Sequence, residues 1–146
     1  MTAKWKIHYL EDLSLGMRAS ITRTLTEEDV AKFADVSGDH NPIHLDKDFA
    51  AESMFRQRIG HGMFTASLFS AVIGMTLPGP GAVYLNQTLS FKAPVLIGDV
   101  IVVTVEVAEL TEKGNRCKLH CQATVAGKVV LEGEALVKVP SRAAKA

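Results

Sequence analysis

The segment SGDHNPIHLD, residues 37–46, carries an acid, Asp39, and a histidine, His44, on either side of Asn41 and Pro42. In an α-helix five residues advance about 500°, which would leave these two side chains about 140° apart. In a strand an odd offset sends them to opposite faces. Pro42 removes a backbone donor and disfavours helical geometry at Asn41. The segment is therefore predicted to be a turn that brings the carboxylate and the imidazole to one point.

A carboxylate and an imidazole that converge can hold one water molecule between them, as a general base and a proton carrier do. Taken alone, however, the pattern is more typical of structural residues. Asp39 could form an Asx turn before Asn-Pro, and His44 could be a core histidine bonded to backbone. Asn41 fits a turn residue better than a catalyst. The surrounding chain has to decide between these interpretations.

Length and composition indicate one domain that spans residues 1–146, with ends at 1–9 and 141–146 that are flexible or peripheral. The chain is 47% hydrophobic, enough for a full core, and its 16 basic and 16 acidic residues cancel. This balance gives no indication of nucleic-acid or membrane partners. The first residues, MTAKWKIHYLEDL, lack the apolar run of a signal peptide, so a cytoplasmic protein is expected.

The two cysteines, Cys117 and Cys121, fall on one predicted strand, where they would be roughly 13 Å apart. A disulfide requires Cα atoms within about 7 Å, so both are predicted to be free thiols, in agreement with a reducing compartment. No nearby histidine or cysteine completes a recognised metal-ligand spacing. We expect neither a metal nor a cofactor.

Three segments have helical patterns. LTEEDVAKFADVSGD predicts a short helix capped by Thr26, and LDKDFAAESMF predicts a second one capped by Asp46. Residues 61–75, HGMFTASLFSAVIGM, have no charged residue after His61 and are apolar around the whole circumference. Such a helix is predicted to be buried, and it is too short to span a bilayer. We expect it to be the central helix of the domain, closed off by Pro78 and Pro80.

The rest of the chain has the alternation and β-branched residues of strands. Five strands are predicted in the segments MRASITRTL, VYLNQTLSFKAPV, DVIVVTVEVAEL, RCKLHCQATVA and KVVLEGEALVKV, with hairpin turns at TEKGN and AGK. The fold class is α+β: an antiparallel sheet wrapped around one buried helix.

Three segments together, SGDHNPIHLD, GHGMFTASLFS and LSFKAPVLIGD, resemble the MaoC-like (R)-specific enoyl-CoA hydratase family, and the PhaJ-type hydratases in particular. The similarity extends over about residues 10–140. It implies a hotdog fold, a homodimer, an acyl-CoA substrate, and reversible hydration of trans-2-enoyl-CoA to (R)-3-hydroxyacyl-CoA. It also implies a role in supplying polyhydroxyalkanoate synthesis from β-oxidation.

The same resemblance implies site residues. The catalytic acid of the family matches Asp39, and the catalytic histidine matches His44. The oxyanion donor is a backbone N–H at the start of the central helix, which falls on Gly62. A glycine here lets a thioester approach the amide closely, and the first turn of a helix has unpaired N–H groups. A glycine needed only for the backbone shape of the helix start would fit equally well.

Substrate-binding residues are expected along the central helix, where apolar surface is concentrated. Ala66, Ser70 and Ile73 are spaced to share one helix face. His61 could contact ligand or bond to backbone near the helix start, and Asn41 is a further candidate for the site. Separately, three cations could meet the phosphates of coenzyme A: Arg56, Arg58 and Lys92.

Two rival activities share the expected fold. One is a dehydratase that acts on acyl-carrier-protein thioesters or on branched or dicarboxylic acyl thioesters. The other is a thioesterase, which has no evident need for the Asp39–His44 turn. A non-catalytic acyl-binding protein would not need Asp39, His44 and Gly62 together.

Overall fold

An antiparallel sheet dominates the computed structural model, which describes residues 4–143. The strands are β1 Arg18–Thr24, β2 Val83–Gln87, β3 Ser90–Phe91, β4 Val100–Thr111, β5 Arg116–Val125 and β6 Lys128–Lys138. Their order in the sheet is β1-β4-β5-β6-β2, and β3 also pairs with β6. The helices are α1 Glu27–Ser37, α2 Pro42–Leu45, α3 Lys47–Ala51 and α4 Gly62–Met75.

The central strands bury every second side chain. In β4 the buried residues include Ile101, Val103, Val105 and Val107, and the side chains between them are more exposed. This two-residue period leaves one face of the sheet for the core. The predicted AGK hairpin is confirmed between β5 and β6, which pair in antiparallel register, and its turn uses positive φ angles at residues 126–127.

The segment VYLNQTLSFKAPV is broken into β2 and β3, although it was predicted as one strand. The N–H and side-chain hydroxyl of Thr88 both bond to the backbone of Glu134. The chain crosses β6 closest at Gly133, where an added Cβ would lie 1.8 Å from the carbonyl oxygen of Thr88. The break therefore depends on the missing side chain of Gly133.

The short helices begin as the sequence predicts. Thr26 accepts a hydrogen bond from the N–H of Asp29, and the Asp29 carboxylate accepts the N–H of Thr26, which forms a capping box for α1. Asp46 accepts the N–H groups of Asp48 and Phe49 at the start of α3. These caps fix where α1 and α3 begin, on either side of the loop that carries Asp39.

Helix α4 packs against β4 and also touches β1 and β5. Its side facing the sheet contains Phe64, Leu68, Phe69, Val72 and Ile73, which are all buried. The opposite side is exposed, so the prediction of a helix buried all round is wrong for the single chain. The exposed residues on that side are Met63, Ser67, Ser70, Ala71, Gly74 and Met75.

The two ends of the described chain bond to each other. Ser141 donates its hydroxyl to Glu11, and Arg142 forms a bidentate pair with Asp12. The guanidinium of Arg142 also lies 4.3 Å from the ring centroid of Tyr9. The ends at 1–9 and 141–146 were predicted to be flexible or peripheral, and residues 9 and 141–142 lie at the periphery, where these bonds hold them. Residues 1–3 and 144–146 lie outside the described residues.

Cys117 and Cys121 are buried free thiols on β5, as predicted. Burial raises the pKa of each thiol to about 11, so both stay protonated and unreactive at neutral pH. Among residues 4–143, no helix has the length and the apolar run needed to cross a membrane.

We expect Gly133→Ala to lower the free energy of unfolding by at least about 1–3 kcal/mol, because the new methyl group would overlap the backbone of Thr88. Urea unfolding measures the loss. Glu134→Ala, in the same strand and exposed, is the matched control and should stay close to the parent. Equal stability of the two variants would show that the chain can move away from Gly133.

Candidate active site

The loop that carries Asp39 is built by local hydrogen bonds. Helix α1 ends at Gly38, which has a positive φ of 83°, a conformation that suits glycine. The Asp39 N–H donates to the hydroxyl of Ser37, and the Asp39 Oδ1 atom accepts the N–H of Asn41. Asp39 therefore forms the Asx turn considered from the sequence, but its Oδ2 atom stays available. The side chain is exposed to solvent.

His44 lies in α2, a single helical turn, so the prediction that this stretch is only a turn is wrong. Pro42 occupies the first turn of α2, where a missing N–H costs nothing, and Asn41 lies outside the helix. The Asn41 side chain accepts the N–H of Ile43, so its carbonyl oxygen caps α2. A proline at the start of a helix can thus place His44 one turn after the Asp39 loop.

The His44 imidazole is buried, and its tautomer is set by backbone. Its Nδ1 atom lies 2.7 Å from the carbonyl oxygen of Ile59. A carbonyl oxygen only accepts, so Nδ1 carries the proton and Nε2 has a lone pair. A histidine bonded to backbone was one interpretation of the sequence, and His44 makes that bond. The bond uses only Nδ1, so Nε2 remains available for chemistry.

The structure brings Asp39, His44 and His61 together. Each residue contributes one atom, a carboxylate oxygen or a ring nitrogen, and these three atoms all lie within 4.8 Å of one another. Two hydrogen bonds of about 2.8 Å that meet at one water span up to about 5.6 Å, so Asp39 and His44 are close enough to share a water. The convergence expected from the sequence is thus present in the geometry.

The same three residues are poorly arranged to hold a metal ion. The rings of His44 and His61 are stacked, with centroids 3.9 Å apart and planes inclined by 29°. Lone pairs of imidazole lie in the ring planes, and zinc needs both nitrogens to point at one centre at about 2.0–2.1 Å. Nearly parallel stacked rings cannot do so without reorienting. The expectation of a metal-free site stays a prediction, and the geometry favours it.

Several groups act on the pKa of His44. Burial lowers it below the usual value of 6.5, and the neighbouring imidazole of His61 lowers it further. The bond to Ile59 and the negative charge of Asp39 act in the opposite direction, and burial prevails. His44 is therefore neutral at pH 7, as an acceptor of a water proton must be.

Gly62 begins α4, and its N–H has no hydrogen-bond partner among residues 4–143. The first N–H groups of a helix carry partial positive charge and can receive an anion or an oxyanion. An added Cβ would lie 2.6 Å from the ring of Phe91, so only glycine fits beside this ring as it stands. The alternative considered from the sequence, a glycine needed for backbone shape, has no support from a positive φ at Gly62; the structure shows instead a steric reason, the ring of Phe91, together with the free amide.

A cavity of about 310 Å³ adjoins Gly62. It is mainly apolar, and it is lined by Phe55, Thr65 and residues 59–62, 91–95 and 130–131. Of the predicted site residues it includes His61 and Gly62. Phe55, Thr65 and Phe91 were not identified from the sequence. Thr65 lies three residues after Gly62 on α4, so helical spacing could have found it, whereas Phe55 and Phe91 come from other segments of the chain.

Ala66, Ser70 and Ile73 do not line this cavity. Ile73 is 1% exposed and belongs to the core, whereas Ser70 lies on the exposed side of α4. Helical spacing predicted that the three side chains share one face of α4, but the sheet covers only the part of that face that carries Ile73. In the single chain Ile73 does not line the cavity. Ala66 and Ser70 remain candidates for substrate contact from the exposed side of α4.

The three cations do not share one site. Lys92 lines the cavity beside Gly62, whereas Arg56 and Arg58 line a second cavity of about 300 Å³ with Lys47. Arg58 forms an ion pair with Glu27, and Arg56 is exposed with a positive φ of 64°. The two cavities share one stretch of sequence: Arg56 and Arg58, which line the second cavity, lie between Phe55 and Ile59, which line the first.

The antiparallel sheet packs on one side of the long helix α4, and Asp39 and His44 meet beside His61, the residue before that helix. This arrangement is that of a hotdog-fold protein with a hydratase-like site. The MaoC like domain family matches residues 14–130. The chain belongs to this family.

Similar proteins cover nearly the whole chain. A 3-hydroxybutyryl-CoA dehydratase of Methylorubrum extorquens is 51% identical over 97% of this chain and 90% of its own. An (R)-specific enoyl-CoA hydratase of Rhodospirillum rubrum is 49% identical over 93% and 94%. A 3-hydroxyacyl-[acyl-carrier-protein] dehydratase of Arabidopsis thaliana is 37% identical over 88% and 79%.

Solved structures agree in fold. The R-hydratase PhaJ1 of Pseudomonas aeruginosa superimposes with a TM-score of 0.88 at 41% identity, over 96% of this chain and 92% of its own. An (R)-hydratase of A. caviae involved in PHA biosynthesis gives a TM-score of 0.86 at 43% identity, over 89% and 99%. The predicted α+β hotdog fold is confirmed.

We expect the pKa of His44, measured by NMR titration of its ring, to lie below 6.5, and to fall further in Asp39→Asn because a nearby negative charge is lost. Asp35→Asn is the matched control. It removes an exposed carboxylate that pairs with His40, and it should leave His44 unchanged. A His44 pKa that rises in Asp39→Asn would contradict this electrostatic arrangement.

Proposed function

We propose that this protein catalyses the reversible hydration of trans-2-enoyl-CoA to (R)-3-hydroxyacyl-CoA. The observation that carries the proposal is the separation of at most 4.8 Å between a carboxylate oxygen of Asp39 and a ring nitrogen of His44. The apolar cavity is lined by Gly62, whose helix N-terminal amide is free among residues 4–143, and by His61, which stacks on His44. Together they offer a place for water, for a thioester oxygen and for an acyl chain.

The reaction adds the OH of water to C3 and a proton to C2. In our mechanism the water donates one hydrogen to the free Oδ2 of Asp39 and the other to Nε2 of His44. Asp39 takes one proton as the water oxygen attacks C3 and then returns that proton to C2, which leaves the carboxylate as it began. His44 orients the water by accepting its second hydrogen, which stays on the oxygen as the product hydroxyl. Each group of this kind typically contributes a factor of about 10²–10⁴ to the rate.

Negative charge develops on the thioester oxygen as C3 is attacked. The N–H of Gly62 is our candidate for the donor that stabilises it, helped by the positive end of the α4 dipole. In other enzymes the loss of one such donor costs about 2.7–4 kcal/mol in activation free energy. The neutral state of His44 supports its part, because a protonated imidazole could not accept from water.

The substrate class is supported by the relatives, whose printed names specify 3-hydroxybutyryl-CoA and enoyl-CoA. Hydration and dehydration are the two directions of one reaction, so these names agree. The cavity of about 310 Å³ beside Gly62 would hold a short to medium acyl chain. Supply of polyhydroxyalkanoate synthesis stays a prediction, as does a cytoplasmic location, which the two free thiols favour.

A dehydratase that acts on acyl-carrier-protein thioesters is the second candidate, because a plant relative with that name is 37% identical to the chain. The same catalytic pair would serve both reactions. Parallel assays with crotonyl-CoA and with the crotonyl thioester of a carrier protein distinguish them. A clear preference for the carrier-protein substrate would replace our proposal with this one, and release of free thiol would instead indicate a thioesterase.

The main test follows the loss of conjugated enoyl absorbance when the protein is mixed with crotonyl-CoA. We expect Asp39→Asn and His44→Gln each to lower kcat by at least about 10²-fold while the fold is kept. The losses should not add in the double variant, because both groups act on one water. His40→Gln is the matched control, since it removes an exposed imidazole from the same loop.

Near-normal turnover in a folded Asp39→Asn would refute the mechanism. The stereochemistry is checked by coupling the reaction to an (S)-specific 3-hydroxyacyl-CoA dehydrogenase, which should not oxidise an (R) product. Prompt NADH formation would refute the (R) assignment and leave the hydratase activity standing.

We also propose that the protein is a homodimer in which β2 pairs with its copy. Strand β2 is at the edge of the sheet, and its residues Val83, Tyr84 and Leu85 are 57%, 38% and 44% exposed. An apolar edge of this kind is a template for pairing with another chain. The exposed side of α4 would supply further surface to a two-fold contact.

We expect a dimer in sedimentation velocity at micromolar concentration, and a shift toward monomer in Leu85→Lys, which places a charge on the β2 edge. Val36→Lys is the matched control, because Val36 is an 82% exposed valine on α1. A parent protein that sediments as a stable monomer would rule out this assembly.

A further inference from the structure

His61 immediately precedes α4, yet its side chain does not cap that helix. The imidazole is 3% exposed and turns toward the loop that carries Asp39. A buried polar side chain at a helix start that makes no cap must be explained by its other contacts.

Three contacts surround the ring of His61. Its Nε2 atom lies 3.0 Å from the backbone carbonyl oxygen of Asp39. One ring face stacks on His44 at 3.9 Å, and Phe33 of α1 packs at 5.0 Å. Gly62 follows in the chain. The residue therefore touches, or is bonded to, each of the three groups assigned to the reaction.

The bond to Asp39 is the principal link between its loop and the rest of the molecule. Residues 38–41 are all exposed, and their other hydrogen bonds stay within residues 34–44. Among the hydrogen bonds of residues 4–143, the one to His61 alone ties residues 38–41 to a distant segment. Without it, the position of the Asp39 carboxylate would depend on a short exposed loop.

We propose that His61 is a positioning residue, whose N–H holds the backbone of Asp39 and whose ring holds the imidazole of His44 against the first turn of α4. This inference rests on the proposed hydratase function. It assigns two separable tasks to one side chain: the donor sets the place of the carboxylate, and the ring sets the orientation and the surroundings of His44.

The protonation of the ring supports the need for a donor. Because a carbonyl oxygen accepts, Nε2 carries a proton, and the buried Nδ1 atom of His61 has no hydrogen-bond partner among residues 4–143. A buried acceptor without a partner typically costs about 1–3 kcal/mol. A phenyl ring would fill the space and stack on His44 without that cost. The N–H bonded to Asp39 is therefore the feature that distinguishes this imidazole from a phenyl ring at the same place.

Two variants separate the tasks. His61→Phe keeps a flat ring on His44 but loses the donor, whereas His61→Gln keeps an amide donor of similar reach but loses the ring. We expect His61→Phe to lower kcat for crotonyl-CoA about 10–100-fold through displacement of Asp39, with a smaller change in KM. His61→Gln should retain more of kcat than His61→Phe does.

The acidic limb of the pH profile of kcat/KM reports the surroundings of His44. The titratable groups that face this imidazole are Asp39 from the loop and His61 from the start of α4. In His61→Gln the ring that covers His44 is lost, so the limb should move to higher pH. In His61→Phe a ring still covers His44, so the limb should move less.

Hydrogen exchange of the amides of residues 38–41 measures the positioning without any activity. Exchange should be faster in His61→Phe than in the parent and in His61→Gln. Parent-like kcat and exchange in a folded His61→Phe, or an identical shift of the acidic limb in both variants, would overturn the proposal. If the parent does not hydrate crotonyl-CoA, the hydratase function fails instead, and the exchange result still decides whether His61 holds the loop.

Discussion

The packing of one side of α4 against the sheet is the constraint on which the site depends. Phe69, Val72 and Ile73 are each at most 1% exposed, and β4 supplies a continuous row of buried valines beneath them. Burial of such side chains contributes about 1.5–3 kcal/mol each. Because this packing fixes the axis of α4, it also fixes the position and direction of the amide of Gly62. The proposed oxyanion donor is thus placed by the core.

The proposed catalytic pair, Asp39 and His44, is tied to this fixed helix end through backbone contacts. The N–H of Gly60 donates to the carbonyl of Val95, the N–H of Ile59 donates to Ile43, and the ring of His44 donates to Ile59. Segment 59–61 therefore connects the sheet side, α2 and the start of α4. A backbone bond also selects the tautomer of His44, so the same contact that positions the ring determines which nitrogen meets water.

Most of the fold could be predicted from the sequence, because its signals are local. The alternation in β4, the caps Thr26 and Asp46, and the free thiols on β5 all depend on residues that are neighbours in the chain. The resemblance of the motifs gave Asp39, His44 and Gly62 as one group. The convergence of Asp39 and His44 was inferred from the proline between them, although the structure achieves it with a helical turn.

The features that could not be predicted from the sequence arise where distant segments of the chain meet. The contact between Phe91 and Gly62, the break of the strand over Gly133, and the bond between Ser141 and Glu11 each join residues far apart in sequence. The spacing of apolar residues along the sequence gives no information about such contacts. Ile73 shows the complementary problem: helical spacing gives its angle around α4 but not which part of that face the sheet covers.

The site has a rigid side and an open side, and this asymmetry follows from how each residue is held. His44 and His61 are buried, and Gly62 is fixed by the helix, whereas Asp39 is exposed on a loop. A fully buried carboxylate would pay a large desolvation penalty, and a fully exposed pair would hold no defined water. Holding the backbone of Asp39 rather than its carboxylate resolves the conflict. The peptide carbonyl is fixed by His61, while Oδ2 of the carboxylate remains open to water and to the substrate.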